Sequence, residues 1–392
     1  MSAGPLQPSL LPQTASNADG RLSVGGRDVI ELTERYGTPL FVYDEQQMID
    51  RCQEAVAAFP DGAAYASKAF LCKAMAPIAH EAGMSIDVAT GGEMFVAMAA
   101  GVPPERLVFH GNNKSTGELR MAIDERVGTI VVDSSDEMDR IEALAPSGSM
   151  RPNVLIRLNP GIEAHTHEYL QTGVEDSKFG LPLAEGQAEI AIERAKASAA
   201  MEFRGVHVHV GSQVFDVESF SQAVQALAPV VNAAGAEEFS IGGGLGVAYV
   251  AGESSGSIAE WGAAVQSVAS DAGITARITA EPGRAIVAQA AVTAYTVGTI
   301  KTVPGIRTYV SVDGGMSDNP RPVLYGSGYE AALARSIDAE RPLGVRIVGK
   351  HCESGDVIVK HASLPADVAV GDVVITPVTG AYGHSMGSNY NK

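Results

Sequence analysis

The chain has 392 residues, 45% apolar and 19% charged, and its 46 acidic against 28 basic residues leave a net charge of −18. A chain of this length predicts two or three domains, or one large α/β unit with a companion, and it can bury a core without disulfides. The acidic balance excludes the clustered Lys/Arg surface that nucleic acid or an anionic membrane requires. The apolar fraction excludes low-complexity disorder outside the Pro/Ser-rich opening from Met1 to about Asn17.

Cys52, Cys72 and Cys352 follow no regular spacing, so no disulfide framework and a reducing compartment are expected. No basic-then-apolar leader opens the chain, and no stretch reaches the roughly 18 uninterrupted apolar residues of a membrane span. A soluble cytoplasmic protein is the expectation.

In chain order, Arg27 to Ile30 and Phe41-Val42-Tyr43 are β-type runs near the start that could pair with the β-rich region at the other end of the chain. Asp44 can then cap a helix on which Met48, Cys52, Val56 and Phe59 recur at helical spacing. From there short apolar strands alternate with amphipathic helices. Strands are predicted at Ala63 to Lys68, Ser85 to Ala89, Arg106 to His110, Thr129 to Asp133, Val154 to Leu158, Gly205 to Val210, Glu238 to Ile241 and Ala276 to Glu281. Ser115-Thr-Gly-Glu118, Ser134-Ser-Asp-Glu137 and Ser257-Ile-Ala-Glu260 each fit a capping box at a helix start, and Gly83 and Gly101 fall at helix ends. This grammar, sustained over about 240 residues, predicts a (β/α)8 barrel, with an open doubly wound sheet as the structural alternative. The last hundred residues read differently: β-type runs at Tyr295 to Val303, Arg307 to Val312, Val345 to Val348 and Asp372 to Thr376, and a single helix near Tyr329 to Ser336. The expected organisation is a TIM barrel over residues 43–286 and an all-β domain of sandwich or barrel type built from both chain ends, 1–42 and 287–392.

A barrel of this kind carries its chemistry at the C-terminal strand ends. Those ends present Lys68, Asp87, His110, Asp133, Arg157, His209, the triple glycine Gly242-Gly243-Gly244, and Glu281 with Arg284. Any one could be a solvated terminus; together they suggest a site. Lys68 ends a small apolar strand and is either a snorkelling lysine or a Schiff-base lysine. Gly242 to Gly246 follows the seventh strand, where amides without a Cβ can approach a phosphate; Val247 defeats a dinucleotide fingerprint. His207 and His209 share a strand face, and with His165 and His167 they permit a zinc reading, although no carboxylate stands at metal-site spacing. A ring-stacking His209 with Ser212 donating to a phosphate suits the glycine loop better, so no metal is expected. Glu281 and Arg284 are either a surface ion pair or, in a cofactor site, partners of a protonated ring nitrogen and an anionic group.

Six ordered motifs carry a family resemblance: Tyr65-Ala-Ser-Lys68-Ala, His207-Val-His-Val-Gly-Ser-Gln213, Gly242-Gly-Gly-Leu-Gly246, Glu281-Pro-Gly-Arg284, Cys352-Glu-Ser-Gly-Asp356, and Gly380-Ala-Tyr382 with Ser388-Asn-Tyr-Asn391. From about Gly20 onward the chain resembles the diaminopimelate decarboxylases. These are fold-type III pyridoxal phosphate enzymes related to ornithine decarboxylase and, more distantly, alanine racemase. The segment Asp313 to Arg321 favours that family over its relatives. Family members continue for some tens of residues past the last motif, so the closing strands of the β domain are expected to be missing.

The resemblance implies an alanine racemase-like barrel that binds pyridoxal 5'-phosphate and decarboxylates meso-2,6-diaminopimelate to L-lysine and CO2, the last step of lysine biosynthesis. It implies that Lys68 holds the cofactor covalently, that His209 stacks on its ring, and that Ser212, Gly243, Gly244, Gly283 and Arg284 hold the phosphate region. Glu281 would face the ring nitrogen, with Asp87 and Arg157 nearby; racemases carry an arginine in place of this acid. Arg284, Arg321 and Tyr325 would take the substrate's distal carboxylate and Glu353 its distal ammonium. Tyr382 would touch cofactor and substrate. Cys352 would enter from a second subunit, making a homodimer with shared sites, and Lys68 or Cys352 would return the proton. The competing readings are a related basic amino-acid or polyamine decarboxylase, a zinc-dependent barrel hydrolase, and a non-catalytic binding relative.

Overall fold

The computed structural model describes residues 3–145, 151–161 and 176–391. His165 and His167 lie outside them. The chain divides into two compact units: Arg51–Gly246 with Ser255–Ala285, and Met1–Asp50 with Val247–Ser254 and Ile286–Lys392.

The first unit is the barrel. Its eight strands are Ala64–Ala66, Ser85–Val88, Leu107–Phe109, Thr129–Val132, Asn153–Asn159, Glu202–Val208, Glu238–Ser240 and Arg277–Thr279, each paired in parallel with the next in sequence. Ala63 bridges Ala280, and the Ala64 and Ala66 amides donate to the Ala280 and Pro282 carbonyls, so the first strand meets the eighth and the sheet closes. The eight predicted strands all form, which excludes the open sheet. Strands buried on both sides, such as Asn153–Asn159, read as apolar runs rather than alternations. Helices Met75–Glu81, Gly91–Ala99, Thr116–Asp124, Ser135–Leu144, Gln187–Ala197, Glu218–Ala234 and Ile258–Asp271 fill the crossovers. Trp261 is fully buried, its ring 4.8 Å from Phe59 and 5.1 Å from Phe220, and stitches the last helical crossover to its neighbours.

Ser115 with Glu118 and Ser257 with Glu260 form the reciprocal capping boxes that the spacing predicts. Ser134 accepts from the Glu137 amide, but Glu137 does not return the bond to Ser134. Its carboxylate reaches the Asp133 amide and, at 2.7 Å, the Lys114 ammonium.

The second unit holds two sheets. Ser16–Ala18, Arg21–Val24 and Arg27–Asp28 form a small antiparallel one. In the larger, Ala291–Val303 is the spine: its first half pairs with Leu40–Tyr43 and Val373–Pro377, its second half with Arg307–Val312, and the register shifts near Gly298. Leu343–Val348 and Val357–Leu364 extend the sheet beyond Arg307–Val312, and Ala332–Leu333 adds to Val373–Pro377. Phe41 to Tyr43 thus pairs with the C-terminal β region as expected.

Three expectations need correction. Arg27 and Asp28 pair with Arg21–Val24 instead of the large sheet, because the Asp28 side chain accepts from the Ile30 and Glu31 amides and starts a helix, Val29–Tyr36. The stretch Tyr329 to Ser336 is not a helix despite its Ala, Leu and Arg content. Ala332 and Leu333 pair with Ile375 and Val374, and tertiary pairing overrides propensity. The helix of this region is Arg321–Tyr325. Finally, the described part of the Pro/Ser-rich opening packs into the fold, with Leu6 and Leu10 only 4% and 2% exposed. Among the described residues, no helix is long and apolar enough to cross a membrane.

Candidate active site

The barrel's strand ends converge on a small set of buried ionisable groups. Lys68 lies just past the first strand in a 3-10 turn, Ser67–Ala69, which the Tyr65 hydroxyl pins by donating to the Phe70 carbonyl at 2.7 Å. Its side chain is exposed, and its charge acts on Asp87, His110 and His209.

Glu281, just beyond the eighth strand, is the centre of the polar network. Its Oε1 accepts from the Ser240 hydroxyl at 2.7 Å, and its Oε2 lies 3.0 Å from His207 Nε2. His110 Nε2 stands 3.5 Å from both Glu281 Oε1 and Asp87 Oδ1. Burial opposes ionisation of Glu281, but the charge that His207 and His110 take up as the pH falls and the hydrogen bonds from His207 and Ser240 outweigh it and hold this carboxyl below the usual range. Asp87 shares the environment without those donors. Burial first, then the Glu281 charge, pushes its carboxyl well above the usual range. One carboxylate and one carboxylic acid side by side is the arrangement two buried acids adopt.

The histidines are neutral near pH 7. Burial lowers His110 to about 4 and lowers His207 and, further, His209. His207 must carry its proton on Nε2 to donate to Glu281. His209 accepts from the Gly243 amide at Nδ1, 3.1 Å away, so its proton sits on Nε2. The two histidines of the strand therefore face different partners and do not converge on one ion. A different trio, His110, His207 and Glu281, has ligand-type atoms within 4.8 Å of one another, but Glu281 there already accepts two hydrogen bonds.

Arg157, at the end of the fifth strand, is buried; its guanidinium lies 3.4 Å from Asp133 Oδ2 and 4.5 Å over the Phe179 ring. Asp133 Oδ1 accepts from the Gly180 amide, so one carboxylate tethers both the arginine and the loop that carries Phe179.

After the seventh strand the glycines are required by close approach. A Cβ on Gly243 would sit 2.1 Å from the Glu281 carbonyl oxygen, and one on Gly244, at φ +119°, 2.1 Å from that of Gly211. Gly283 abuts Ala66 in the same way. Beside this strip Arg284 donates to the Ser212 hydroxyl at 2.8 Å. The barrel thus brings together Lys68, Asp87, Arg157, His209, Ser212, Gly243, Gly244, Glu281, Gly283 and Arg284. The set fits pyridoxal phosphate: an amine for its carbonyl carbon, a neutral imidazole, an ionised carboxylate for a protonated ring nitrogen, and a strip without side chains flanked by a hydroxyl and a guanidinium for its phosphate. Buried Asp87 Oδ1, His110 Nε2 and His207 Nδ1 still have hydrogen-bonding capacity to spare.

The β unit holds the other expected residues. Arg321 is buried at the start of its short helix; it donates to the Tyr329 hydroxyl at 2.7 Å and its Cζ lies 4.1 Å over the Tyr249 ring. Tyr325 closes that helix, half-buried, and Tyr382 is half-buried at φ +62°. Cys352 and Glu353 are exposed on a turn braced by Asp356, which accepts from the His351 and Met316 amides.

Sequence reading missed Ser240, Tyr249 and Tyr329 and gave His110 no role. The one local signal for Ser240 is its place at a strand end, with Ile241 alone between it and the glycine run.

Residues 45–288 match the family described as pyridoxal-dependent decarboxylase, pyridoxal binding domain. The chain is 43% identical to the diaminopimelate decarboxylase of Mycobacterium tuberculosis H37Rv, over 98% of this chain and 91% of that protein. It is 44% identical to that of Bacillus subtilis 168, over 96% and 89%. The crystal structure of diaminopimelate decarboxylase from M. jannaschii in co-complex with L-lysine superposes with a TM-score of 0.89 at 32% identity, covering 97% of this chain and 90% of that one. With that identity over nearly its whole length, the chain belongs to the diaminopimelate decarboxylase family of pyridoxal phosphate enzymes.

Proposed function

We propose that this enzyme converts meso-2,6-diaminopimelate to L-lysine and CO2, as a cytoplasmic homodimer. When bound, pyridoxal phosphate supplies an electron sink for the pair released as CO2 leaves. Glu281 carries this reading: an ionised carboxylate, fed by Ser240 and His207, is suited to hold a pyridine N–H and so keep that sink charged.

Lys68 would supply the amine that holds the cofactor through its carbonyl carbon until the substrate amine takes its place. His209 would set its neutral imidazole against the ring. Ser212, Gly243, Gly244, Gly283 and Arg284 would take the phosphate region, and Asp87 and Arg157 would stand near the ring. After CO2 leaves, Cys352 of a second subunit or Lys68 delivers a proton to the reacting carbon. Arg321, with Arg284 and Tyr325, takes the distal carboxylate, Glu353 the distal ammonium, and Tyr382 touches cofactor and substrate. Among the described residues no carboxylate pairs with the buried Arg321, which supports an anionic ligand there, since a buried lone cation is costly.

The test is CO2 release assayed with meso-diaminopimelate, lysine, ornithine and arginine. Turnover of diaminopimelate alone is expected. Comparable turnover of ornithine or arginine would assign the enzyme to the basic amino-acid decarboxylases instead.

A further inference from the structure

Among the described residues, no carboxylate pairs with Arg321. Its guanidinium face rests 4.1 Å from the Tyr249 ring centre, one of its terminal nitrogens donates to the Tyr329 hydroxyl at 2.7 Å, and its buried Nε has no hydrogen-bond partner among the described residues. The two tyrosines brace each other edge to face, ring centres 5.3 Å apart, and both are buried. Tyr249 comes from the short excursion 247–254 after the glycine loop, and Tyr329 from the chain beyond the Arg321–Tyr325 helix. Two separate segments thus fix one cation.

The choice of phenols has a consequence. A carboxylate in either place would neutralise Arg321 and occupy its fork. A ring face and a hydroxyl fix the plane of the guanidinium and leave its charge unspent. Preorganisation of this kind lowers the ordering cost of a bidentate contact to an incoming carboxylate.

We propose that Tyr249 and Tyr329 are positioning residues that set substrate selectivity by holding Arg321 as a charged, oriented receptor for a carboxylate at the non-reacting end of the substrate. The proposal rests on the reading of Arg321 as the distal-carboxylate residue.

The experiment uses the holoenzyme and two probes of equal chain length. L-lysine keeps the distal carboxylate, whereas cadaverine, the corresponding diamine, has none. Both are titrated at equilibrium through the absorbance of the bound cofactor, and KM and kcat for meso-diaminopimelate are measured alongside. The wild-type enzyme should prefer L-lysine to cadaverine by on the order of 10- to 100-fold, the range of a charge-assisted contact. Arg321→Leu should abolish the preference. Tyr329→Phe, which keeps the ring and deletes the hydroxyl, should shrink it by about 5-fold. Tyr249→Leu should shrink it by about 5- to 10-fold, and Tyr249→Phe should retain it, because the ring face rather than the hydroxyl does the holding. In the affected tyrosine variants KM should rise more than kcat falls, with cadaverine affinity and the cofactor spectrum unmoved.

If Arg321→Leu leaves the preference intact, the distal-carboxylate reading itself fails. If Arg321→Leu abolishes it while Tyr329→Phe and Tyr249→Leu do not reduce it, the positioning proposal alone is overturned. Equal loss of L-lysine and cadaverine affinity in both tyrosine variants also overturns it, because the tyrosines would then support the fold and not the receptor.

Discussion

The Ser240 hydroxyl donates to Glu281 Oε1 at 2.7 Å, linking the end of the seventh barrel strand to a residue two positions beyond the eighth. Both groups are buried, and the bond favours the ionised carboxylate over the acid. Ser240→Ala removes that preference, so the Glu281 carboxyl titrates at higher pH. If the reaction needs the carboxylate, the acid limb of the kcat/KM profile shifts upward in pH while the alkaline limb stays. The lost bond to a charged group is worth roughly 1.5–3 kcal/mol, or about one to two pH units. An acid limb at its wild-type position would show that Glu281 does not govern it.

Lys68→Ala should abolish turnover without lowering the Tm of the apoprotein, because the side chain is exposed in this structure and, among the described residues, no ion pair is lost with it. Cys352→Ala should also be strongly impaired. Mixed under conditions of subunit exchange, the two variants should regain activity, since one hybrid site would carry both native residues. Proven heterodimers without activity would count against a shared site.

The barrel and much of its mouth were legible because their signals are local. Strand runs, capping serines at Ser115 and Ser257, and a lysine closing an apolar strand can each be read within a few residues. What escaped is non-local. Ser240 looks like any small strand residue until Glu281, 41 positions away, is brought beside it. His207 and His209 read as a possible metal pair on strand periodicity alone, whereas loops after two other strands turn them to Glu281 and Gly243. The false helix at Tyr329 to Ser336 has the same origin, because its pairing partner lies some forty residues downstream.

Acid should weaken the apoprotein through its buried histidines. His110 is lowered from 6.5 to about 4, so the unfolded chain binds the proton first as pH falls. Its contribution is present above about pH 6.5 and lost between there and pH 4, roughly 3 kcal/mol in all; His207 and His209 act in the same direction. Asp87, pushed upward, acts oppositely, so the informative quantity is the difference between wild type and His110→Asn. Urea unfolding from pH 7 to pH 4 should show a shallower loss in the variant. Parallel curves would mean that His110 does not stay neutral in the folded state.

Lys114 and Glu137 form an ion pair at 2.7 Å with both side chains essentially sealed from solvent. Lys114 also donates to the Gly111 and Val131 carbonyls, and Glu137 accepts from the Asp133 amide, so the pair ties the helix after the fourth strand to the loop after the third. Burial lowers the lysine and raises the acid, the reverse of what mutual attraction alone would do, so desolvation outweighs pairing here. Removing one partner strands the other. Lys114→Met should therefore cost about 3–5 kcal/mol of unfolding free energy. The double variant Lys114→Met, Glu137→Leu should recover most of that, because two apolar side chains leave no buried charge behind, although the Asp133 amide loses its acceptor. Asp133 also holds Arg157 and the Gly180 amide, so loosening its backbone should weaken cofactor retention in the single variant more than in the double. Urea denaturation of the apoproteins and the cofactor dissociation constants of both variants check this together. A double variant no more stable than Lys114→Met would mean that the pair stabilises the fold outright.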